Sequence, residues 1–406
     1  MGWRRSSTTC RLARTHFYAG SVSKQFTAMA AALAIQQGKL AYDDPIRKYL
    51  PELPAYADAV MVRHLLHHTS GLRDYNTLLA IAGRRDEDAW DNRAVLRIAA
   101  RQKALNFEPG SEYLYSNTGY TLLATIVERA TATPFADYVA AQIFTPLGMT
   151  ASHFHTDARR LVRHRAFGYG GRTGAWTLDT PINERAGAGG LYTSIPDLLK
   201  WDENFSTGKI GGAAVIKQVQ TPGSLNTGAS LRYAWGLQLG DYRGVPIVEH
   251  AGSLGGYRAH LVRVPSLHAS VALLCNSAGA VTSTLVRQVL TAAWPDDFSN
   301  PEACCPAGTF RGPAPLTIGS EAWYRGFAGS YYSEELEATF RITTDGSTLF
   351  LQRDLDASPM PLEPAGAVNT FRVRGTTIRF ATTVGEKVTR FTVEAGRVRG
   401  IAFSRQ

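Results

Sequence analysis

The sequence predicts an α+β protein followed by a separate all-β unit. Three observations carry that prediction. Apolar residues recur at helical spacing over 21–143, apolar strands separated by tight turns follow over 244–275, and short alternating segments fill the chain beyond a Pro/Gly-rich stretch. At 406 residues the chain exceeds one ordinary domain, and its 44% hydrophobic content is ample for a packed core. The division read from the sequence is 1–300, a connector over 301–318, and 319–406.

From Ser21 onward Phe26, Met29, Ala30 and Leu33 share a helix face, alanines fill the gaps, and Gly38 supplies a stop. Further helices are predicted over 62–67, 94–101, 118–132 and 135–143, with Pro and Gly breaks between them. The segments 244–250, 257–264 and 269–275 have strand length and are separated by Gly or Pro-Ser turns. They read as an antiparallel meander, closed by an amphipathic helix over 282–294. Residues 301–318, dense in Pro and Gly, read as the connector. Beyond it 339–343, 348–352, 370–374, 376–381, 388–393 and 398–403 alternate apolar and polar residues. Asp345-Gly346 and Ala395-Gly396 supply turns at hairpin spacing. That pattern predicts a small all-β barrel, or the related sandwich.

Composition removes several function classes. The 43 Lys+Arg against 34 Asp+Glu give a net charge of +9, yet the arginines are scattered. No basic stripe interleaved with aromatics exists, so a nucleic-acid partner is not expected. The densest basic run, Arg159 to Arg165, is interrupted by apolar residues and reads as a solvated loop or helix end. Cys10, Cys275, Cys304 and Cys305 have neither metal-ligand spacing nor a disulfide pattern, and the adjacent Cys304 and Cys305 read as surface thiols. No apolar run is long enough for a transmembrane segment. The first residues, Met1-Gly-Trp-Arg-Arg, are basic and lack the apolar core of a secretory signal, so the compartment is left open.

Chemistry concentrates at Ser21-Val22-Ser23-Lys24. A serine needs a base before it can attack a carbonyl, and a lysine one helical turn later can be that base. A helix start there adds positive potential that favours an oxyanion and an unprotonated lysine. A chain this long holds roughly one S-x-x-K by chance, so the weight rests on partners elsewhere. Tyr115-Ser116-Asn117 ends a turn-rich approach to a helix. Alone, Tyr115 would be a packing tyrosine and Asn117 a helix cap; beside Ser21 the phenol can move a proton and the amide can hold both lysine and substrate. His250-Ala251-Gly252 ends a strand and leads into Ser253-Leu-Gly-Gly. A strand edge with a small residue lets substrate backbone pair with it, and the following N–H can serve as an oxyanion donor.

The order S-x-x-K, Y-x-N, H-x-G resembles the serine β-lactamase and penicillin-binding protein superfamily, in the branch of class C β-lactamases, D-aminopeptidases and esterases. His68-Thr-Ser-Gly-Leu72, Phe107-x-Pro-Gly110, Pro146-Leu-Gly-Met149 and Gly187-Ala-Gly-Gly-Leu-Tyr-Thr-Ser194 resemble stretches common in that branch. The similarity covers about residues 16–296. It implies a β-lactamase-like antiparallel sheet flanked by helices, with a mostly helical subdomain, and it likens the C-terminal barrel to an accessory β-domain. Whether such a barrel caps the cleft, tunes specificity or supports dimers is open at this level.

The resemblance implies Ser21 as nucleophile, Lys24 and Tyr115 sharing the proton work, and Asn117 positioning lysine and substrate. His250 stands where many relatives have the lysine of K-T-G, so substrate binding is expected to change on the acid side. The backbone N–H groups of Ser21 and Ser253, beside Gly252, would form the oxyanion hole. The expected activity is hydrolysis of an ester, amide, β-lactam or D-amino-acid peptide through an acyl-enzyme; the alternatives are a non-hydrolytic penicillin-binding or sensor protein and an inactive, shortened relative. The partner is a small-molecule or peptide substrate, the oligomeric state is open, and no cofactor or metal is expected. His64 and His68 have helical spacing, but position 65 is Leu where a zinc-site glutamate would stand. G-x-S-x-G and phosphate-loop motifs are missing. Relatives place a helix and two strands of the sheet ahead of the nucleophile, whereas twenty residues precede Ser21. The sheet is therefore expected without those strands, with an unpaired apolar edge near Val271 to Leu274. Relatives are often periplasmic or secreted.

Overall fold

The computed structural model describes residues 15–84, 88, 90–182, 184–300, 320–381 and 387–406. The connector over 301–318, with Cys10, Cys304 and Cys305, lies outside the described residues.

The helix Ser23–Gln36 runs through the centre and is buried on nearly every side. A helix that is apolar all round belongs inside a core, and its alanines let neighbours approach closely. The helices Asn117–Thr131, Phe135–Val139 and Gly212–Val219 pack around it. The regular helix starts at Ser23, two residues later than predicted, because Gly20–Val22 forms a tighter 3-10 turn with Gly20 at a φ of +52°. Ahead of that turn Phe17–Tyr18 pairs with Leu191–Thr193, which also pairs with His153–Phe154.

The other predicted helices appear as Val62–Leu66, Asn92–Arg101 and Asn117–Thr131. The segment 135–143 divides into Phe135–Val139 and a wider π turn over Ala140–Phe144. The structure adds Tyr75–Ile81 and Ile195–Thr207, capped by Asp74 and Ser194, whose side chains accept the N–H of Thr77 and Asp197. The run from Arg159 to Arg165 is a loop, and the Arg159 side chain is 90% exposed.

The predicted meander is a four-stranded antiparallel sheet in the order Gln238–Tyr242, Val245–Leu254, Tyr257–Val264, Ala269–Cys275. Helix Thr282–Ala293 covers one face with Val286 and Leu290 against Val262, Val264 and Val271. Ala259 and Leu261 turn to the central core. The strand bearing His250 is therefore second in order. Its pairing with the first strand stops at Glu249 opposite Gln238, so 250–254 keep a free edge beside the Gly20–Val22 turn. Among the described residues Ala269–Cys275 has a strand neighbour on one side only, and Leu273, Leu274 and Cys275 are half-buried there.

The C-terminal unit is a closed barrel of eight antiparallel strands, sealed by pairing of Gly329–Ser333 with Val398–Arg405. Tyr331, Phe340, Phe371, Phe380, Phe391 and Phe403 are buried within its apolar cluster. Helix Glu321–Phe327 packs Phe327 against Phe371 and Phe380. The sequence reading omitted two of its strands, Gly329–Ser333 and Met360–Ala365. The second carries Pro361 and Pro364, which lack the donor that marks an ordinary strand. One apolar cluster joins the barrel to Leu78 and Ile81 of Tyr75–Ile81 and to Val95 and Ile98 of Asn92–Arg101. Beside it Arg73 and Glu335 form an ion pair that is almost fully buried.

Candidate active site

Ser21 sits in the turn between a short strand and the central helix, so its hydroxyl projects where regular hydrogen bonding begins. Lys24 follows one turn later and is completely buried. Its Nζ lies 3.1 Å from Ser21 Oγ, 2.9 Å from Asn117 Oδ1 and 2.8 Å from the Ala188 carbonyl oxygen. Two of these neighbours can only accept, whereas the serine can donate. As placed, Nζ donates to all three oxygens, and Ser21 is the one neighbour that can reverse roles and donate once the amine is neutral. Burial drives the lysine well below its ordinary range; the Asp74 carboxylate opposes that effect and Arg397 adds to it.

Lys24 Nζ lies 4.7 Å from the Tyr115 ring centroid. Burial holds the phenol protonated, with the neighbouring Ser21 and Arg397 pulling the other way. The ring rests on His68, centroid to centroid 4.2 Å, and His68 Nδ1 accepts the Ser116 N–H at 3.1 Å. Ser116 then caps the helix that begins at Asn117. Asn117 is held from behind, because its N–H donates to Asp74 Oδ2 at 2.7 Å. His64 is accounted for locally: its Nδ1 accepts the Met61 N–H at the start of its own helix.

The expectation for His250 needs correction. It is 3% exposed, its Nδ1 lies 2.6 Å from the Ala251 carbonyl oxygen, and its Nε2 lies 3.1 Å from Tyr233 Oη. These contacts fit a neutral ring that donates to the carbonyl and accepts from the phenol. Burial, with the nearness of Lys24 second, lowers its pKa to about 3. Any titration of this ring is moved further to the acid side, and His250 braces Tyr233 against the strand.

The two glycines explain how turn and strand meet. A Cβ on Gly252 would stand 2.0 Å from the Ala19 carbonyl oxygen and 3.0 Å from Ser21 N, and one on Gly20 would stand 2.5 Å from Ser253 N. Only backbone without side chains lets the strand and the turn approach this closely. Ser21, Asn117, Ala188, Gly189 and Ser253 line a cleft of about 70 Å³ that also takes in the buried Arg185. The structure thus brings together Ser21, Lys24, Tyr115, Asn117, Gly252 and Ser253, with His250 behind them.

Sequence reasoning missed Asp74, Arg397 and the Ala188 carbonyl. Asp74 ahead of Tyr-Asn-Thr-Leu-Leu carries a helix-cap signal, and Ala188 falls in the glycine-rich stretch already singled out. Arg397 has no local signal, since it reaches the site only through the docking of the barrel. Among the described residues no helix is long and apolar enough to cross a membrane.

The chain is 28% identical over 402 residues to a penicillin-binding protein of Bacillus subtilis (strain 168), covering 91% of this chain and 83% of that protein. It is 28% identical over 283 residues to a D-aminopeptidase of Gluconobacter oxydans (strain 621H), where it covers 69% of this chain but only about half, 52%, of the relative. Among solved structures, an octameric penicillin-binding protein homologue from Pyrococcus abyssi superposes with a TM-score of 0.61 at 23% identity, over 96% of this chain and 88% of that one. The D-amino acid amidase of Ochrobactrum anthropi SV3 bound to D-phenylalanine superposes with a TM-score of 0.58 at 26% identity, over 70% of this chain and 94% of that one. The model of the family described as Beta-lactamase matches residues 5–292, and the chain belongs to that family.

Proposed function

We propose that this chain is a serine hydrolase that cleaves an amide, ester or D-amino-acid peptide through an acyl-enzyme on Ser21. The observation that carries the reading is the placement of Lys24 Nζ, 3.1 Å from Ser21 Oγ with two obligate acceptors on its other sides. Lys24 takes the Ser21 proton as Oγ bonds to the substrate carbonyl carbon. The negative charge of the tetrahedral intermediate falls between the N–H groups of Ser21 and Ser253. Collapse breaks the bond to the leaving nitrogen or oxygen, which receives its proton from Lys24 by way of Tyr115. Water then attacks the ester with the same pair as base and releases the acid. Asn117 orients the lysine through Oδ1 and offers its amide nitrogen to the substrate. The reading divides the chain into a hydrolase domain over 1–300, a connector over 301–318 and a barrel over 319–406.

Relatives named for D-aminopeptidase and D-amino acid amidase activity favour small D-amino-acid amides and peptides as the first substrates to assay. D-Phenylalaninamide hydrolysis, followed with Ser21→Ala as control, tests the proposal. The expected result is turnover in the parent and a loss of at least about 1000-fold in the variant. Equal turnover in both would overturn it.

A further inference from the structure

The barrel reaches the active site through the Arg397 side chain. Strands Arg390–Ala395 and Val398–Arg405 are joined by the two-residue turn Gly396-Arg397, with Ala395 paired to Val398. Backbone contacts latch this turn onto the helical region. The Arg397 carbonyl oxygen accepts from Asn106 Nδ2 at 2.9 Å and from the Asp74 N–H at 3.5 Å, and the Arg399 N–H donates to Asn106 Oδ1 at 2.8 Å. The Arg397 side chain then extends into the site. Its guanidinium carbon lies 4.7 Å from the Tyr115 ring centroid, and its Nη1 lies 3.7 Å from Asp74 Oδ2.

Asp74 matters because of where its charge falls. Its carboxylate is 1% exposed and accepts the N–H groups of Thr77 and Asn117, the residue that holds Lys24. A buried carboxylate beside a lysine favours the ammonium, which cannot take a proton from serine. The other titratable groups facing Lys24 do not offset it. Tyr115 and Tyr120, with rings 4.7 Å and 5.6 Å from Nζ, are held protonated by burial, and His68 and His250 are held neutral by the same cause. Arg397 pairs with the Asp74 carboxylate, and the buried Arg185 lines the same cleft, donating to Asn76 Oδ1.

We propose that Arg397 is a positioning residue of the active site: by pairing with Asp74 it draws that carboxylate's charge away from Lys24 and leaves the amine free to act as base. The barrel is then part of the hydrolytic machinery and not an appendage. This rests on the reading of Ser21 and Lys24 given above. The directions of the Lys24 shift agree with it, since Asp74 raises and Arg397 lowers the lysine, both on top of the dominant effect of burial.

The test is the rate at which a fluorophosphonate probe labels the full-length chain across pH, in the parent, R397A, R397Q and R397K, with S21A as control. Labelling should require the unprotonated lysine, so its acid limb reports that group. In R397A and R397Q the limb should move up by about one pH unit, so that labelling falls several-fold near neutrality and recovers in alkali. R397K should track the parent. The latching bonds use backbone atoms, so R397Q keeps the turn if R397A disturbs it. A second change, D74N in the R397A background, should bring the limb back down. A uniform loss at every pH, or no change, would overturn the inference and leave Arg397 as a docking contact. Failure of the underlying reading looks different: the parent itself would then take no label on Ser21.

Discussion

At the scale of single residues, the site depends on atoms that are not there. Gly252 has no Cβ, and the strand carrying it meets the nucleophile turn closely enough that Ser21 N and Ser253 N line one cleft. Gly252→Ala would place a methyl carbon 2.0 Å from the Ala19 carbonyl oxygen, so strand and turn must part. The proposed oxyanion donors part with them. The expected outcome is a loss of about 100-fold or more in kcat with KM far less affected, read from steady-state amide hydrolysis. His250 teaches the complementary lesson. Its identity in the sequence suggested a titrating cation; its surroundings make it a neutral ring at a pKa of about 3. Ser21, Lys24, Tyr115 and Asn117 were legible because each lies in a short spaced motif. Asp74 and Arg397 were not, because their relation to Lys24 exists only after two distant segments have docked.

At the scale of elements, legibility followed periodicity. The central helix, the strands Tyr257–Val264 and Ala269–Cys275, and most of the barrel carry apolar spacing that a reader of sequence can count. The helix Tyr75–Ile81 is only seven residues long and shows too few turns for a period to emerge, while Met360–Ala365 is masked by its prolines. The register that leaves 250–254 with a free edge is also invisible in sequence, because it depends on where the neighbouring strand stops. Docking between elements has a testable energetic centre in the Arg73–Glu335 pair. Glu335 also accepts the Lys103 N–H at 2.8 Å, and both side chains of the pair are about 95% buried, with exposures of 4% and 5%. Glu335→Ala would leave the guanidinium buried without its carboxylate, with only the neutral Gln102 Oε1 and Gly400 carbonyl as acceptors. The expected cost is about 3 to 5 kcal/mol, measured by urea unfolding, and Arg73 is the group that bears it.

At the scale of the whole molecule, the helical region and the barrel share one apolar cluster and a set of polar latches that converge on the cleft. The barrel thus shapes the electrostatics felt by the base as well as the surface around it. The central claim is that Lys24 works as a neutral amine aimed at Ser21. Its pKa is lowered by burial, so as pH rises the amine loses its proton earlier than the ordinary lysine value of 10.5. The rate of Ser21 acylation should climb with pH through that lowered pKa and then level off. The most direct measurement is the pH dependence of Ser21 labelling in the parent chain, read by intact mass. A plateau reached below the ordinary lysine value of 10.5 is predicted. A rate still rising through about pH 10.5, as an unperturbed lysine would give, would contradict the account.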